Sequence, residues 1–418
     1  MAKDKFLGSA EDGFGMCNVV LGWDMGDECY DDAAFTGWHT GYPDQNVRID
    51  LGTYRRIPWE GDRPFFLGDF ERDDGAPLAI CPRQLLKRIV GQANDMGFDP
   101  VFGLEFEWFN FAETPDSATA KGHRDLDPIS PGMFGYSVIR HSHNAEFLEA
   151  LMGQLRKYRI PLEGLHTETG PGVLEAAILH SGTLEAADRA ILFKTATKEI
   201  GARTGILPTF MARISSDLPG CSGHHHQSLL KVGSGESAFH DSSDADSMST
   251  TFRSYVAGQL AHLSDLLPLL APTVNSYKRL VEGYWAPTRP TWGVDNRTVA
   301  LRVIPGSEKS TRLETRLPGS DVNPYLSVAA CLAAGLRGIA DGLELDTEAV
   351  SGSGYDADVN RYPATLAEAT ERFTASETAR SMLGNEFVDH FATSRRWEWN
   401  QSLSAVTDWE LQRYFEIV

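Results

Sequence analysis

The stretch D-P-V-F-G-L-E-F-E-W-F-N-F, residues 99–111, narrows the fold more than any other part of the chain. Its aromatic crowding favours a strand. Phe102, Phe106, Trp108 and Phe109 predict that this strand is substantially buried. Side chains alternate in a strand, so Glu105 and Glu107 point to one face. Two carboxylates sharing a buried face repel unless a cation sits between them. From these residues alone, a metal-binding face and a solvent-facing face both remain open.

Helical patterns alternate with strand patterns around this segment. Apolar stripes predict helices over 81–97, 142–160, 183–204, 251–270 and 323–343. Residues 1 to about 75 are rich in Gly, Asp and aromatics and read as a small, mostly β domain. Polar stretches at 232–250 and 349–364 read as loops, and no internal repeat occurs. A chain of 418 residues is long for one core, so two domains are expected, with an α+β architecture.

The formal net charge of −20 disfavours nucleic acid or an anionic membrane surface as a partner. No apolar run approaches the length of a membrane span, and the first 15 residues carry no signal-peptide core. Five scattered cysteines without a C-x-x-C pair fit a reduced, cytoplasmic protein.

Further chemistry is distributed along the chain. G-C-S-G-H-H-H-Q-S-L, residues 220–229, sets His224, His225 and His226 side by side. A metal site, a phosphate site and a solvated loop are all compatible with it. H-T-E-T-G-P-G-V-L-E adds Glu168 and Glu175 about a Gly-Pro-Gly turn; taken alone, these read as a turn-edge and a helix-start glutamate. S-T-R-L-E-T-R places Arg312, Glu314 and Arg316 on one strand face, which suits a salt-bridge ladder or a metal ligand beside phosphate-binding arginines. With Arg279, Arg297 and Arg302 these arginines suggest an anion pocket in an acidic protein. Carboxylates, imidazoles and guanidiniums together suit Mg²⁺ or Mn²⁺ and phosphoryl transfer, without a Walker A sequence or a kinase glycine loop.

From about residue 60 to the C-terminus the order of motifs resembles the glutamine synthetase superfamily. "GLEFEW" resembles its G-x-E-x-E strand. "HTETGPGVLE" resembles H-x-E-x-x-P-G-Q-x-E, with Val173 in place of Gln. "SGHHHQSL" resembles S-G-x-H-x-H-x-S-L, one residue shorter after Ser-Gly. "NSYKRL", "DNRTVALRV", "ETRLPGSDVNPYL" and the ending "WELQRYFEIV" are similar to family forms.

The resemblance implies an N-terminal β-grasp-like domain over 1–92 and a catalytic α+β domain over 93–418. It implies two or three Mg²⁺ or Mn²⁺ ions per site and ATP as a substrate. Glu107, Glu168 and Glu175 would hold one ion, and Glu105, His224 and Glu314 another. His226 would contact phosphate and His225 would point away; a shift of one residue would make His225 the ligand instead. Arg279, Gly220 and Glu107 would bind L-glutamate. Arg297, Arg302 and Arg312 would contact ATP phosphates, with Ser228 and Lys309 near the nucleotide. Arg316 would meet the transferring phosphoryl group, making Arg316 and Arg297 the catalytic pair. Family sites form between neighbouring subunits, which implies a homo-oligomer of hexameric rings or a dodecamer.

The departures are as informative. Ammonia-using members carry a Glu in P-G-Y-E-A-P; this chain has E-G-Y-W-A-P, with Trp285 there. They carry an Asp in F-D-G-S-S; the nearest counterpart is F-T-G-W-H-T-G, with Thr36 and His39. Losing both carboxylates removes the attraction for ammonium and adds apolar surface. The acidic run W-D-M-G-D-E-C-Y-D-D, residues 23–32, could supply carboxylates instead. The expectation is a small organic amine as substrate, an arylamine or alkylamine that stacks on or caps Trp285. The activity implied is an ATP-dependent glutamate–amine ligase, acting through γ-glutamyl phosphate to give a γ-glutamyl amide, ADP and phosphate. Two alternatives stand beside it: a glutamine synthetase with a rebuilt ammonium site, and a non-catalytic structural or regulatory member. The N-L-Y-D-L adenylylation loop is lacking, and Tyr355 lies in the different context G-S-G-Y-D-A-D, so that regulation is not expected.

Overall fold

A computed structural model describes residues 1–418. Near the N-terminus, β1 (Phe14–Cys17), β2 (Asp44–Ile57) and β3 (Arg63–Glu71) form an antiparallel three-stranded sheet. The larger sheet has nine strands. They are β4 (Phe98–Phe111), β5 (Leu162–Thr167), β6 (Val173–Ile178), β7 (Ser181–Gly182), β8 (Leu207–Thr209), β9 (His225–Lys231), β10 (Trp292–Val294), β11 (Leu301–Ile304) and β12 (Arg312–Thr315). The spatial order is β10-β11-β12-β9-β4-β6-β5, with β7 and β8 also paired to β4. Only β10 and β11 run parallel.

The strand expected over 99–111 forms as β4 and is the spine of this sheet. Phe102, Leu104, Phe106 and Trp108 are buried on one face, while Glu105 and Glu107 are half-buried on the other. Beneath the apolar face lies the helix Thr183–Arg203, which contributes Phe193. Phe106, Trp108, Phe193 and Phe210 stack and edge-pack together. Burial of each such side chain contributes about 1.5–3 kcal/mol, so this underside is a rigid platform for the carboxylate face.

One core of 66 residues runs from Leu85 to Ala392. The helix Pro82–Asp95 commits Leu85, Leu86, Ile89 and Ala93 to it and packs against β4 and the helix Pro324–Ala340. The expected boundary between residues 92 and 93 runs through this helix. Arg83 on the same helix bridges Asp69 of β3 and Asp188 of the helix Thr183–Arg203, joining the small sheet to the core.

Two predicted helices form as pairs. The segment 142–160 divides into Val138–His143 and Ala145–Lys157, because Asn144 Nδ2 turns back to donate to the Arg140 carbonyl. The segment 251–270 divides into Thr250–His262 and Leu267–Leu270; Pro268 fits only a helix's first turn.

Candidate functional site

The polar face of the large sheet carries two lateral rows of functional side chains. In the first row Glu107 of β4 lies opposite Glu175 of β6, which lies opposite His166 of β5. In the second row Arg302 of β11 lies opposite Glu314 of β12, which lies opposite His226 of β9. Glu105 of β4 faces the second row, and its N–H donates to the His224 carbonyl. Residues from six strands, scattered over more than 200 positions of sequence, thus meet on one surface.

The first row is anionic. His166, Glu168 and Glu175 bring ligand atoms within 4.8 Å of one another. His166 lies 3.9 Å from each of the two carboxylates. Glu168 Oε1 accepts from the N–H and hydroxyl of Thr169, while its Oε2 is buried without a partner. Burial, reinforced by the charges of Glu107, Glu105, Glu168 and Glu314, pushes the Glu175 carboxyl up to about 9. A divalent cation would remove both the orphaned acceptor and the repulsion, so these side chains fit one. Glu175 is therefore not a helix-start residue as the local pattern suggests, whereas Glu168 does stand at the edge of the turn, one residue past β5. Glu175 sits within β6, across from Glu107, and the Gly-Pro-Gly turn closes the β5–β6 hairpin.

The second row is compensated. His224 Nδ1 lies 3.6 Å from Glu105 and 3.4 Å from Glu314, and His226 Nε2 lies 3.2 Å from Glu105. Glu105, His226 and Glu314 also converge within 4.8 Å. Glu314, 1% exposed, pairs with Arg302 at 2.7 Å and with Arg316. Burial opposes ionising Glu314, but Arg316, His224, His226 and Arg302 overcome it and hold its carboxyl at about 2. Burial opposes ionising Glu105 too, and His226 and His224 hold it well below the usual carboxylate range. Arg312 Nε donates 3.1 Å to His226 Nδ1, which assigns the ring proton of a neutral His226 to Nε2. The orphaned Nε2 of His224 leaves that ring with unused capacity.

His225 is separate. The strand pleat turns it to the opposite face, where it is fully buried and its Nε2 lies 2.8 Å from Ser327 Oγ. Burial pushes it down to about 3, so it is neutral at physiological pH.

The remaining expected residues surround the rows unevenly. Arg297 and Lys309 are exposed on loops flanking β11. Ser228 lies on β9, its hydroxyl 3.3 Å from the Thr311 carbonyl. Arg316 Nε donates to the Arg297 carbonyl, so the two expected catalytic arginines are joined through backbone. Arg279 is 1% exposed and donates to the carbonyls of Leu317 and Arg316 and to Ser222 Oγ, while its Nε has no partner. Gly220 lies against it: a Cβ there would meet Arg279 Cγ at 2.7 Å and collide with the Ala212 carbonyl. Glu107 accepts the Ser222 N–H at 2.7 Å, and its carbonyl accepts from Ser320.

Trp285 is 57% exposed with φ of 62°, at a turn six residues after Arg279. Neighbouring Tyr284 is braced by the Arg213 guanidinium, 4.6 Å from its ring centroid. His39 is exposed. Thr36 corrects its expectation. It is 0% exposed, its hydroxyl donates 2.5 Å to Asn18 Oδ1, and its methyl packs over Gly22. A side chain sealed inside the N-terminal lobe lines no pocket. In the acidic run, Asp24 is taken up by Trp397 Nε1 and by the N–H groups of Gly26 and Glu28.

Sequence reading missed His166, whose place opposite Glu175 is created by the pairing of β5 with β6. It also missed Asp295, which holds Arg302 through an Nε–Oδ1 contact of 3.1 Å.

A carboxylate–imidazole face bordered by arginines, on an antiparallel-rich α+β sheet, defines a centre for divalent cations and anionic substrates. The profile described as "Glutamine synthetase, catalytic domain" matches residues 79–414, and the chain belongs to the glutamine synthetase family. It is 54% identical over 420 residues to type-1 glutamine synthetase 2 of Dictyostelium discoideum, covering 100% of this chain and 80% of that protein. It is 36% identical over 417 residues to a glutamate–isopropylamine ligase of a Pseudomonas species, covering 98% of this chain and 90% of that protein. A solved structure of GmaS with ADP superposes with a TM-score of 0.85 at 25% identity, covering 99% of this chain and 92% of that one. The chain is thus a ligase of an ATP-dependent, divalent-metal-using family. No helix is long and apolar enough to cross a membrane.

Proposed function

We propose that this chain is an ATP-dependent ligase joining the γ-carboxylate of L-glutamate to a small organic primary amine. The observation that carries this reading is Trp285. An exposed indole stands in a left-handed turn where a carboxylate would attract ammonium, and Thr36 offers no substitute for the second carboxylate. A neutral arylamine stacks on such a ring, and an alkylammonium binds its face. The similarity to an isopropylamine ligase supports the same reading.

In the mechanism we infer, the buried Arg279 beside Gly220 receives the glutamate α-carboxylate, and Glu107 its ammonium end. Arg302, Arg312 and the loop residues Arg297 and Lys309 receive ATP phosphates. Bound Mg²⁺ or Mn²⁺ ions supply charge neutralisation for the phosphates. Glu107, Glu168 and Glu175, joined by His166, would hold one ion, and Glu105, His224 and Glu314 another. His226 cannot offer Nε2 to a metal while Arg312 donates to Nδ1; it presents an N–H suited to a phosphate oxygen. Arg316 stabilises charge on the γ-phosphoryl group as the glutamate γ-carboxylate attacks. The amine then attacks the acyl phosphate, losing a proton as phosphate leaves. We place the site in a ring-shaped homo-oligomer in the cytoplasm, with a β-grasp-like domain that ends before the helix Pro82–Asp95 rather than at residue 92.

The second reading, an ammonia-using glutamine synthetase, is favoured by the 54% identity to a type-1 glutamine synthetase. One assay separates the two. Phosphate release from ATP is followed with glutamate, Mg²⁺ or Mn²⁺, and ammonium, methylamine, isopropylamine, ethanolamine, putrescine or aniline. Turnover with an organic amine and little with ammonium is expected. Best turnover with ammonium replaces our reading with the second, and no turnover with any amine removes both.

A further inference from the structure

Three consecutive histidines raise a problem of register. In β9 a slip of one residue would exchange His225 for His224 and His226 on the metal-facing side. Apolar patterning does little to prevent it, because the inward positions of β9 are His225, Gln227 and Leu229, two of them polar. Something else must specify the pairing.

Beneath β9 and β12 lies a closed ring of hydrogen bonds. Gln227 Nε2 donates to Thr315 Oγ1 at 2.6 Å, and Thr315 Oγ1 donates to Gln259 Oε1 at 2.6 Å. Gln259 Nε2 returns to Gln227 Oε1 at 2.8 Å and also reaches the Cys331 carbonyl at 3.0 Å. Tyr255 donates its hydroxyl to Gln227 Oε1 at 2.7 Å. All four side chains are buried. Gln227 sits between His226 and Ser228, and Thr315 between Glu314 and Arg316. The ring therefore ties the histidine strand to the glutamate strand from behind, and both to the helix Thr250–His262 that carries Tyr255 and Gln259. Each bond is directional. A slipped strand would present His226 or Ser228 inward and orphan Gln259 and Tyr255, each with the desolvation penalty of an unpaired buried group.

We propose that Gln227, Thr315, Gln259 and Tyr255 form a register lock that selects His224 and His226, rather than His225, for the metal face. These are positioning residues; none touches the reacting atoms. The inference rests on the metal reading above.

The test uses full-length protein without nucleotide. Mn²⁺ affinity is measured by electron paramagnetic resonance, and amide exchange of residues 225–231 is measured separately in metal-free protein. Gln259→Met opens the ring from the helix while leaving both strands untouched. It should weaken Mn²⁺ binding about tenfold and speed exchange in 225–231 about tenfold, the scale of one or two lost hydrogen bonds, without altering exchange in the β5–β6 hairpin. In a Gln227→Met, Thr315→Val protein, a further His225→Ala change should weaken Mn²⁺ binding, whereas His225→Ala alone should change it less than about twofold. Tyr255→Phe, a milder variant should the others fail to fold, should speed exchange about threefold. Unchanged Mn²⁺ affinity and unchanged exchange in folded variants overturn the lock. If wild-type protein binds no Mn²⁺, the metal reading fails instead, and the metal-free exchange data still judge the lock.

Discussion

The two halves of the site solve the same electrostatic problem in opposite ways. In the second row Glu314 of β12 and Glu105 of β4 each have a protein cation or imidazole against them, and Glu314 stays ionised far below neutral pH. In the first row Glu168, Glu107 of β4 and Glu175 of β6 gather with His166 as the nearest imidazole, and Glu175 takes up a proton instead. One half is organised before any ligand arrives. The other becomes fully ionised only when a cation joins it. The fold therefore assigns charge delivery to the arginine side and charge demand to the hairpin side.

Four measurements probe this contrast. Glu314→Ala removes the carboxylate that Arg302, Arg316 and His224 share, and ATP turnover should fall at least ~10³-fold, the scale of a lost electrostatic element; substantial residual turnover would break the ligand assignment. Trp285→Ala should raise the KM for the preferred organic amine about tenfold with little change for glutamate, and an equal rise for both would detach Trp285 from the amine. Glu175 governs a pH effect. Its carboxyl titrates near 4.5 when unfolded and about 9 when folded. The folded metal-free protein holds that proton more tightly, so this contribution to stability is complete below pH 4.5 and is lost as pH rises toward 9. Melting in chelator should show that decline, and either Glu175→Gln or added Mg²⁺ should flatten it; parallel curves would refute the account. Thr36→Val, the smallest effect, should lower stability by about 1 kcal/mol and leave amine preference unchanged. A changed preference would restore Thr36 to the pocket.

What the sequence made legible follows the same division. Glu105 and Glu107 could be paired because a long aromatic strand has an unmistakable period of two. Arg312 and Glu314 were readable from the two-residue alternation of charged and other side chains in R-L-E-T, although β12 is only four residues long. Glu168 and Glu175 were misleading locally, since their relation is created by a hairpin and by pairing to β4, not by spacing along the chain. His166 was overlooked because one imidazole among twelve histidines carries no local signal until its strand is placed. Thr36 was misplaced because motif position says nothing about whether a loop turns a side chain inward. The burial of Arg279 was equally invisible, as it depends on the approach of residues 212, 220 and 316–317 from distant segments.

Gly220 carries that last point into evolutionary terms. The guanidinium of Arg279 lies where it does because position 220 has no side chain, and every replacement adds the one atom for which there is no room. No gradual series of substitutions leads away from it. If Trp285 sets amine preference as proposed, that preference sits in an exposed turn open to change one residue at a time. Under the roles proposed for Arg279 and Trp285, the glutamate end of the site is held in place by an absence, and the amine end is the freer of the two to change.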